Sequence, residues 1–479
     1  MASILAWASR HGIALIPRGG GTGMPGGNVG PEVVLDLKAL DGISSVIPPG
    51  RESGEAHGLL SAGAGAVAAD LRSRANGAGS DLPALPSSAR WCTVGGILAC
   101  NAAGARSFRY GAARAWVRAV EWVRADGRVE RLQRTRAVPP EWRSLSRRLL
   151  HGLPDPLPWP SVRKNSSGYA LDAFLDSGDP VDLVVGSEGT LGVVTAATLE
   201  VSPPPECRAV LLLGVRDYAG LVEMALEAGT VPQVVACEYF GRRLVELGGL
   251  HLDPRLHDLS LDRGMLLVEV AGTREAVAAA RRIVSAWGDT GVLSADDPEG
   301  MEALWEFRHA ASPTISQALE GGRRSIQFIE DSVVPVDRLG AYLAGLEDIL
   351  ARHETDAVIF GHAGDGNLHV NPLVDLNHSR WRERVEGILS ETVELVASLG
   401  GTLAGEHGDG RLRTCFLHRT FSPEVMAAFR RVKETFDPHG ILNPGVKVPA
   451  ASVEPLGGLG VAPGFASGSQ GPERLDRRG

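Results

Sequence analysis

Two histidines close together in sequence across a turn, and later an acid next to a third histidine, are the residues of this chain best suited to chemistry. The segment from Asp356 to Val374 reads DAVIFGHAGDGNLHVNPLV, two apolar runs flanking Gly364-Asp365-Gly366-Asn367. Asp-Gly is a preferred centre for a two-residue hairpin turn. With Asp365 and Gly366 at that centre, His362 is expected directly opposite His369, and Asn371 on the same face opposite Phe360. Cβ atoms so opposed stand roughly 5 Å apart, near enough for two imidazoles to share one ion. Gly405-Glu406-His407-Gly408-Asp409-Gly410 supplies a carboxylate and another imidazole in a glycine-bracketed loop. Nitrogens from His362 and His369 with an oxygen from Glu406 leave coordination positions open, as in a catalytic rather than a structural site, and Zn or Mn would serve. The competing reading, satisfied histidines and a surface acid, accounts for each residue singly but less well for the set.

A second group of residues suits a cofactor. Arg18-Gly19-Gly20-Gly21-Thr22-Gly23 follows the expected strand Ala14–Pro17, and Gly21, Gly23 and Gly26 match the letters of GxGxxG. A Rossmann loop must open a helix whose N-terminus faces the pyrophosphate. Here Pro25-Gly26-Gly27 break any helix and Val33–Leu37 resumes as a strand, so the loop must bind its anion differently. Consecutive glycines can turn several backbone N–H groups inward as a nest, to which Arg18 and Thr22 add a charge and a hydroxyl. A pyrophosphate suits that concavity. Pro86-Ser87-Ser88 leads to Thr93-Val94-Gly95-Gly96-Ile97-Leu98-Ala99-Cys100-Asn101, mostly small residues that let backbone approach a flat ring or a sugar. Val185 to Thr195, with Gly186, Gly189 and Gly192, reads as a strand–turn–strand too rich in glycine to be simple core.

These loops need a frame. At 479 residues the chain exceeds what one core usually fills, so two domains are expected. Up to about Val201 strands alternate with turns. From Arg208 onward strand–helix units take over: strands Val210–Val215, Val234–Tyr239, Met265–Val270 and Ile326–Val334, with helices Leu221–Ala228, Ala276–Trp287 and Leu339–Ala351. Ser202-Pro203-Pro204-Pro205 is a stiff joint between the two patterns. After Lys447 the chain turns to Pro, Gly and Ser with few large apolar groups, so residues 449–479 are expected to be a disordered tail. The opening helix, Ser3–His11, has no strand before it and reads as a shortened start. The net charge of −9 argues against a nucleic-acid backbone as partner. Five cysteines without a CxxC pair support neither an iron–sulfur centre nor a disulfide framework. The apolar stretch Ile4–Ala8 is too short to span a bilayer, which suggests a cytoplasmic protein, at most peripheral at the inner face of the membrane.

The series PRGGGTG, TVGGILACNAAG, NSSGYAL and GSEGTLGVVT, in that order, resembles the FAD-binding domain of the vanillyl-alcohol oxidase and p-cresol methylhydroxylase (PCMH) superfamily. HAGDGNLH and GEHGDG resemble the FAD-linked D-2-hydroxyacid dehydrogenases, the group containing D-lactate, D-2-hydroxyglutarate and glycolate dehydrogenases. The resemblance implies an α+β fold: a PCMH-type FAD-binding domain over 1–203, a cap or substrate domain over 204–400 built of ferredoxin-like units with an antiparallel sheet, and a segment 401–448 returning to the FAD site. It implies that Arg18, Gly19, Gly20, Gly21, Thr22 and Gly23 hold the pyrophosphate. Pro86, Ser88, Thr93, Gly95, Gly96, Ala99 and Asn101 would run beside the ribityl and ring, Gly189 to Val194 would close over them, and Asn443 would return to the flavin. No histidine lies in the glycine loops, so FAD is expected to be non-covalent.

The same resemblance implies that His362, His369 and Glu406 bind the metal, His407 is the base, Asn371 touches the substrate and Arg308, in Trp305-Glu306-Phe307-Arg308, grips its carboxylate. Where some relatives carry a lysine just before the aspartate corresponding to Asp331, this chain has Ile329-Glu330, so a second substrate carboxylate is not implied. The expected reaction is oxidation of a small D-2-hydroxy acid to the 2-oxo acid, hydride passing to flavin N5. Electrons would leave to a partner protein or a quinone, an iron–sulfur subunit being one candidate. The alternatives are a metal-independent flavin oxidase of another alcohol and a non-catalytic flavin subunit of a multi-subunit dehydrogenase.

Overall fold

The computed structural model describes residues 1–48, 57–134, 140–248, 254–288, 291–309, 315 and 322–450. From residue 451 on, the expected tail lies outside the described residues. Strands β1 (Leu15–Arg18) and β2 (Val33–Asp36) pair in parallel and flank the first glycine loop. A four-stranded antiparallel sheet follows, in the order β3 (Gly58–Gly63), β6 (Val193–Val201), β4 (Val117–Val123), β5 (Val129–Gln133). Along β6 buried and half-buried residues alternate, the period of two that puts one face on a core. That core also takes in Val425, Phe429, Val432 and Phe436 from the late helix Pro423–Phe436. Ser422 caps that helix by accepting from the Val425 N–H, with Pro423 at its first position. The segment after this helix is thereby fastened to the first strand: the Leu15 N–H donates to the Ile441 carbonyl at 2.7 Å and the Asn443 N–H to the Leu15 carbonyl at 2.9 Å.

The second half is an eight-stranded sheet. Its path runs β10 (Val292–Ala295), β7 (Cys207–Val215), β9 (Gly264–Gly272), β8 (Val234–Gly241), β13 (Asp356–His362), β14 (Asn367–Asp375), β11 (Arg323–Ser325), and the short β12 (Ser332–Val333) also pairs with β14. Strands β7 to β10, with helices Tyr218–Ala228 and Arg274–Ser285 between them, form an antiparallel ferredoxin-like unit, as expected. Asp217 and Thr273 cap the two helices through their side chains.

Three local expectations are corrected. Ile326–Val334 is not one strand: β11 and β12 are separated by irregular backbone that carries Glu330 and Asp331. Val185–Thr195 is not strand–turn–strand, because a short helix, Pro180–Val184, leads into the glycine turn and only β6 follows it. The hairpin is not a two-residue turn. Ala363–Asp365 form a single 3-10 turn and Gly366 takes φ 68°, so His362 pairs with Asn367, Phe360 with His369 and Val358 with Asn371. This pairing moves each partner along by two positions.

Gly366 is needed where it stands. A Cβ there would lie 2.0 Å from the Val334 carbonyl oxygen, on top of the cost of a left-handed backbone. Gly366→Ala is expected to destabilise the protein by at least about 1–3 kcal/mol. Gly440→Ala, at φ 63° with nothing within 4 Å, should cost less, and chemical unfolding of the two variants checks the difference.

Candidate active site

One cavity of about 520 Å³ runs from the glycine loops to the histidine hairpin. Its first end is lined by Gly19 through Gly23, Pro86, Ser88, Thr93, Gly95, Gly96, Ala99, Gly189 and Val194. At the other end stand Arg308, His369, Asn371, Glu406 and His407. Helix Val94–Cys100 packs tightly enough that a Cβ on Gly19 would meet the Thr93 hydroxyl at 2.1 Å. That hydroxyl is buried and finds no hydrogen-bond partner, so a polar group awaits a ligand on the glycine wall. A small-residue cradle with an unsatisfied donor fits a dinucleotide-type cofactor.

Four expected site residues do not line this cavity. The Arg18 guanidinium folds against its own loop, 2.7 Å from where a Cβ of Gly21 would be. Asn101 ends helix Val94–Cys100 at φ 50° and accepts from the Arg114 N–H at 2.9 Å. Asn443 donates to the carbonyls of Gly27 at 2.8 Å and Glu188 at 2.9 Å, so it clamps two cofactor-side loops from outside. His362 stands one layer back, behind Glu406.

The register correction leaves the histidine cluster intact because a shift of two keeps every side chain on its face. His362 and His369 are diagonal rather than opposed, with ring centroids 5.2 Å apart, and His369 stacks on His407 at 5.3 Å. All three Nε2 atoms converge on one oxygen: Glu406 Oε1 is 3.2 Å from His362, 3.4 Å from His369 and 3.6 Å from His407. Two of the opposite ring nitrogens are held from behind. His362 Nδ1 lies 2.5 Å from Glu238 Oε1, and His369 Nδ1 lies 2.9 Å from the Glu330 carbonyl oxygen. Imidazoles whose Nδ1 is tied back and whose Nε2 atoms meet a carboxylate have the donor arrangement of a metal centre.

Asp331, His369, Glu406 and His407 can bring ligand atoms within 4.8 Å of one another, a set that omits His362. Asp331 is nevertheless the weaker candidate. Its Oδ2 already accepts the backbone N–H groups of Glu406 at 3.0 Å and His407 at 2.8 Å, and its Oδ1 accepts from Asn367 at 3.1 Å. It shapes the loop that presents Glu406 and His407, whereas His362 Nε2, among the described residues, meets Glu406 alone.

Several buried charges went unrecognised in the sequence. Glu238, on a strand whose every residue is buried, would be raised by burial, yet the His362, Arg308 and Lys164 charges hold it down at about 2. The same balance in reverse lets Glu238 and Glu406 overcome burial and push His362 up to about 9. Burial lowers His369. His407 is raised against its burial by Asp331, Glu330 and Glu406. Lys164 reaches in from the first half of the chain to 3.1 Å from Glu406 Oε2 and 3.3 Å from Asp365, and Lys164, His362 and His369 hold Glu406 well below the usual carboxylate range despite its burial. Arg413 pairs with Glu330 behind His407. A lone acid in an apolar strand, as in Val234-Val235-Ala236-Cys237-Glu238, is the one signal that could have drawn attention to Glu238.

Known proteins agree with this architecture. A family model described as "FAD linked oxidases, C-terminal domain" matches residues 204–446, and one described as "FAD binding domain" matches residues 1–133. The chain is 29% identical over 447 residues to a D-lactate dehydrogenase of Archaeoglobus fulgidus, covering 93% of this chain and 88% of that one. It is 29% identical over 453 residues to the glycolate oxidase subunit GlcD of Bacillus subtilis, covering 92% and 85%. With a D-2-hydroxyglutarate dehydrogenase of Xanthomonas citri pv. viticola the figures are 28% over 455 residues, 92% and 86%. Among solved structures, 4-ethylphenol oxidase from Gulosibacter chungangensis superimposes with a TM-score of 0.65 at 16% identity, covering 93% of this chain and 87% of that one. An alkyldihydroxyacetonephosphate synthase gives a TM-score of 0.62 at 15% identity, covering 92% and 74%. These two likenesses speak for the fold alone. With the C-terminal family model matched over more than half of the chain and a cavity built from both halves, the chain belongs to the FAD-linked oxidases.

Proposed function

We propose that this enzyme oxidises a small D-2-hydroxy acid, of the D-lactate, glycolate or D-2-hydroxyglutarate type, to the 2-oxo acid with non-covalent FAD and a divalent ion such as Zn or Mn. The observation that carries the reading is the convergence of three imidazole Nε2 atoms on Glu406 Oε1 at the end of a glycine-lined cavity. Bound FAD would supply a two-electron acceptor, and an ion held by His362, His369 and Glu406 would supply charge that acidifies the substrate hydroxyl. The remaining work falls to the chain. Arg308, lining the cavity with its Nε tied to Glu238 at 3.2 Å, offers the rest of its guanidinium to the substrate carboxylate. Asn371 lines the same wall and contributes an amide for orientation. His407 takes the hydroxyl proton at Nε2, with Glu330 Oε1 3.4 Å behind its Nδ1 to stabilise the imidazolium. A quinone or a partner protein, for which an iron–sulfur subunit is suited, would take the electrons onward. No helix among the described residues is long and apolar enough to cross a membrane.

Anaerobic mixing of the FAD-loaded protein with a panel of D- and L-2-hydroxy acids tests the reading. Bleaching of the flavin by D-acids, lost after chelation and restored by Zn or Mn, is expected. Equal bleaching with and without chelator would leave a metal-independent flavoenzyme instead.

A further inference from the structure

Glu238 touches neither the cavity nor the cofactor loops, yet it contacts two residues given separate tasks above. Its side chain is fully buried on β8, the strand next to β13 in the sheet. One oxygen, Oε1, lies 2.5 Å from His362 Nδ1. The other, Oε2, accepts from Arg308 Nε at 3.2 Å. The Arg308 guanidinium carbon sits 4.6 Å from the centroid of the Phe360 ring, so the arginine is held by a carboxylate and an aromatic face. Phe360 is in turn paired with His369 across the hairpin. His362, Arg308, Phe360 and His369 are thus packed around one acid.

We propose that Glu238 is a positioning residue that couples the ion site to the site for the substrate carboxylate. A carboxylate bound to Nδ1 fixes the ring orientation in which Nε2 faces Glu406, and strengthens that nitrogen as a donor. The same carboxylate aims a guanidinium that lines the cavity. Because the two oxygens belong to one rigid plane, an ion that orders His362 also orders the acid holding Arg308, and a substrate that orders Arg308 acts back on the ion by the same amount. The inference rests on the hydroxy-acid reading for its second half only, since its first half concerns the ion alone.

The test uses the FAD-loaded protein and Co²⁺ as the probe ion. Glu238→Gln keeps the volume but sets an amide NH₂ against either Arg308 or His362, since one amide cannot accept from both sides. Co²⁺ affinity, measured without substrate by its visible absorption, is expected to fall by about 10- to 100-fold. At saturating Co²⁺ the KM for the D-2-hydroxy acid is expected to rise by more than kcat falls, the signature of lost carboxylate binding. FAD content equal to that of the parent shows that the variant has folded. If it is lower, Glu238→Asp, which keeps the charge but withdraws both oxygens, replaces it with the same two readouts. Unchanged Co²⁺ affinity would overturn the proposal, as would an unchanged KM beside weakened Co²⁺ binding. A parent protein that oxidises no D-acid while its Co²⁺ affinity still depends on Glu238 would sink the hydroxy-acid reading and support the ion half of this one.

Discussion

Replacing His407 with alanine is expected to slow reduction of the flavin by substrate by orders of magnitude while FAD stays bound. The histidine lines the polar end of the cavity, away from the glycine loops, so its loss removes no part of the cradle. It is only half-enclosed, unlike His362 and His369, which suits a group that must exchange a proton with substrate and solvent. Asp331, Glu330 and Glu406 raise its pKa against burial, so the proton it accepts is retained as charge moves off the substrate. General-base assistance is worth about 10²- to 10⁴-fold, and single-turnover anaerobic reduction should slow by that order. Glu330→Gln should have a smaller effect, because it acts on His407 from behind and leaves the imidazole in place. Unchanged single-turnover reduction in His407→Ala would remove His407 from the mechanism.

The histidine cluster was legible in the sequence although the turn that builds it was misread. Strand side chains alternate with a period of two, so a register error of two residues keeps His362, His369 and Asn371 on one face and only changes which are opposed. The Asp-Gly preference for a two-residue turn is local, and tertiary contacts overrode it: Asp365 is drawn toward Lys164 at 3.3 Å and Arg163 at 3.5 Å, from the other half of the chain. The glycine loops were legible for a similar reason. Runs of glycine and small residues are costly in a core, and their role in lining a cavity follows from that cost. The outer layer was not legible. Glu238 meets His362 across 124 positions of sequence, and a lone acid in a strand of Val, Ala and Cys does not say which partner it has. Asn443 has motif-like surroundings but serves as a clamp, since a side-chain amide satisfies two loop carbonyls as readily as it would a ligand.

Lys447 carries the second large expected effect, and it joins the fold to the site. It lies near the end of the described chain among Pro and Gly residues, yet its side chain is fully buried. Its ammonium is 3.0 Å from Glu188 Oε1 and 3.0 Å from Asp409 Oδ2, and donates to the Ser166 carbonyl at 2.5 Å. Glu188 also accepts the backbone N–H groups of Asp409 at 2.7 Å and Gly410 at 3.0 Å. Four segments are thereby tied: the third glycine loop, the loop presenting Glu406 and His407, the stretch around Ser166 and the segment that carries Lys447. Lys447→Met leaves two carboxylates facing each other in a dry interior, and breaking a buried pair from one side costs about 3–5 kcal/mol. Chemical unfolding should show a loss of that order, together with weaker retention of FAD. Lys447 is raised above the ordinary lysine value of 10.5 because Asp409 and Glu188 outweigh its burial, so its contribution is complete below that pH and is lost as pH rises through the folded value. Burial raises Glu188, and losing the ammonium should raise it further, so the deficit of Lys447→Met should shrink as pH falls and Glu188 takes up a proton. Adding Glu188→Gln to Lys447→Met should recover part of the stability by removing one of the two stranded charges. A double variant no more stable than Lys447→Met would show that packing, not charge, holds these four segments together.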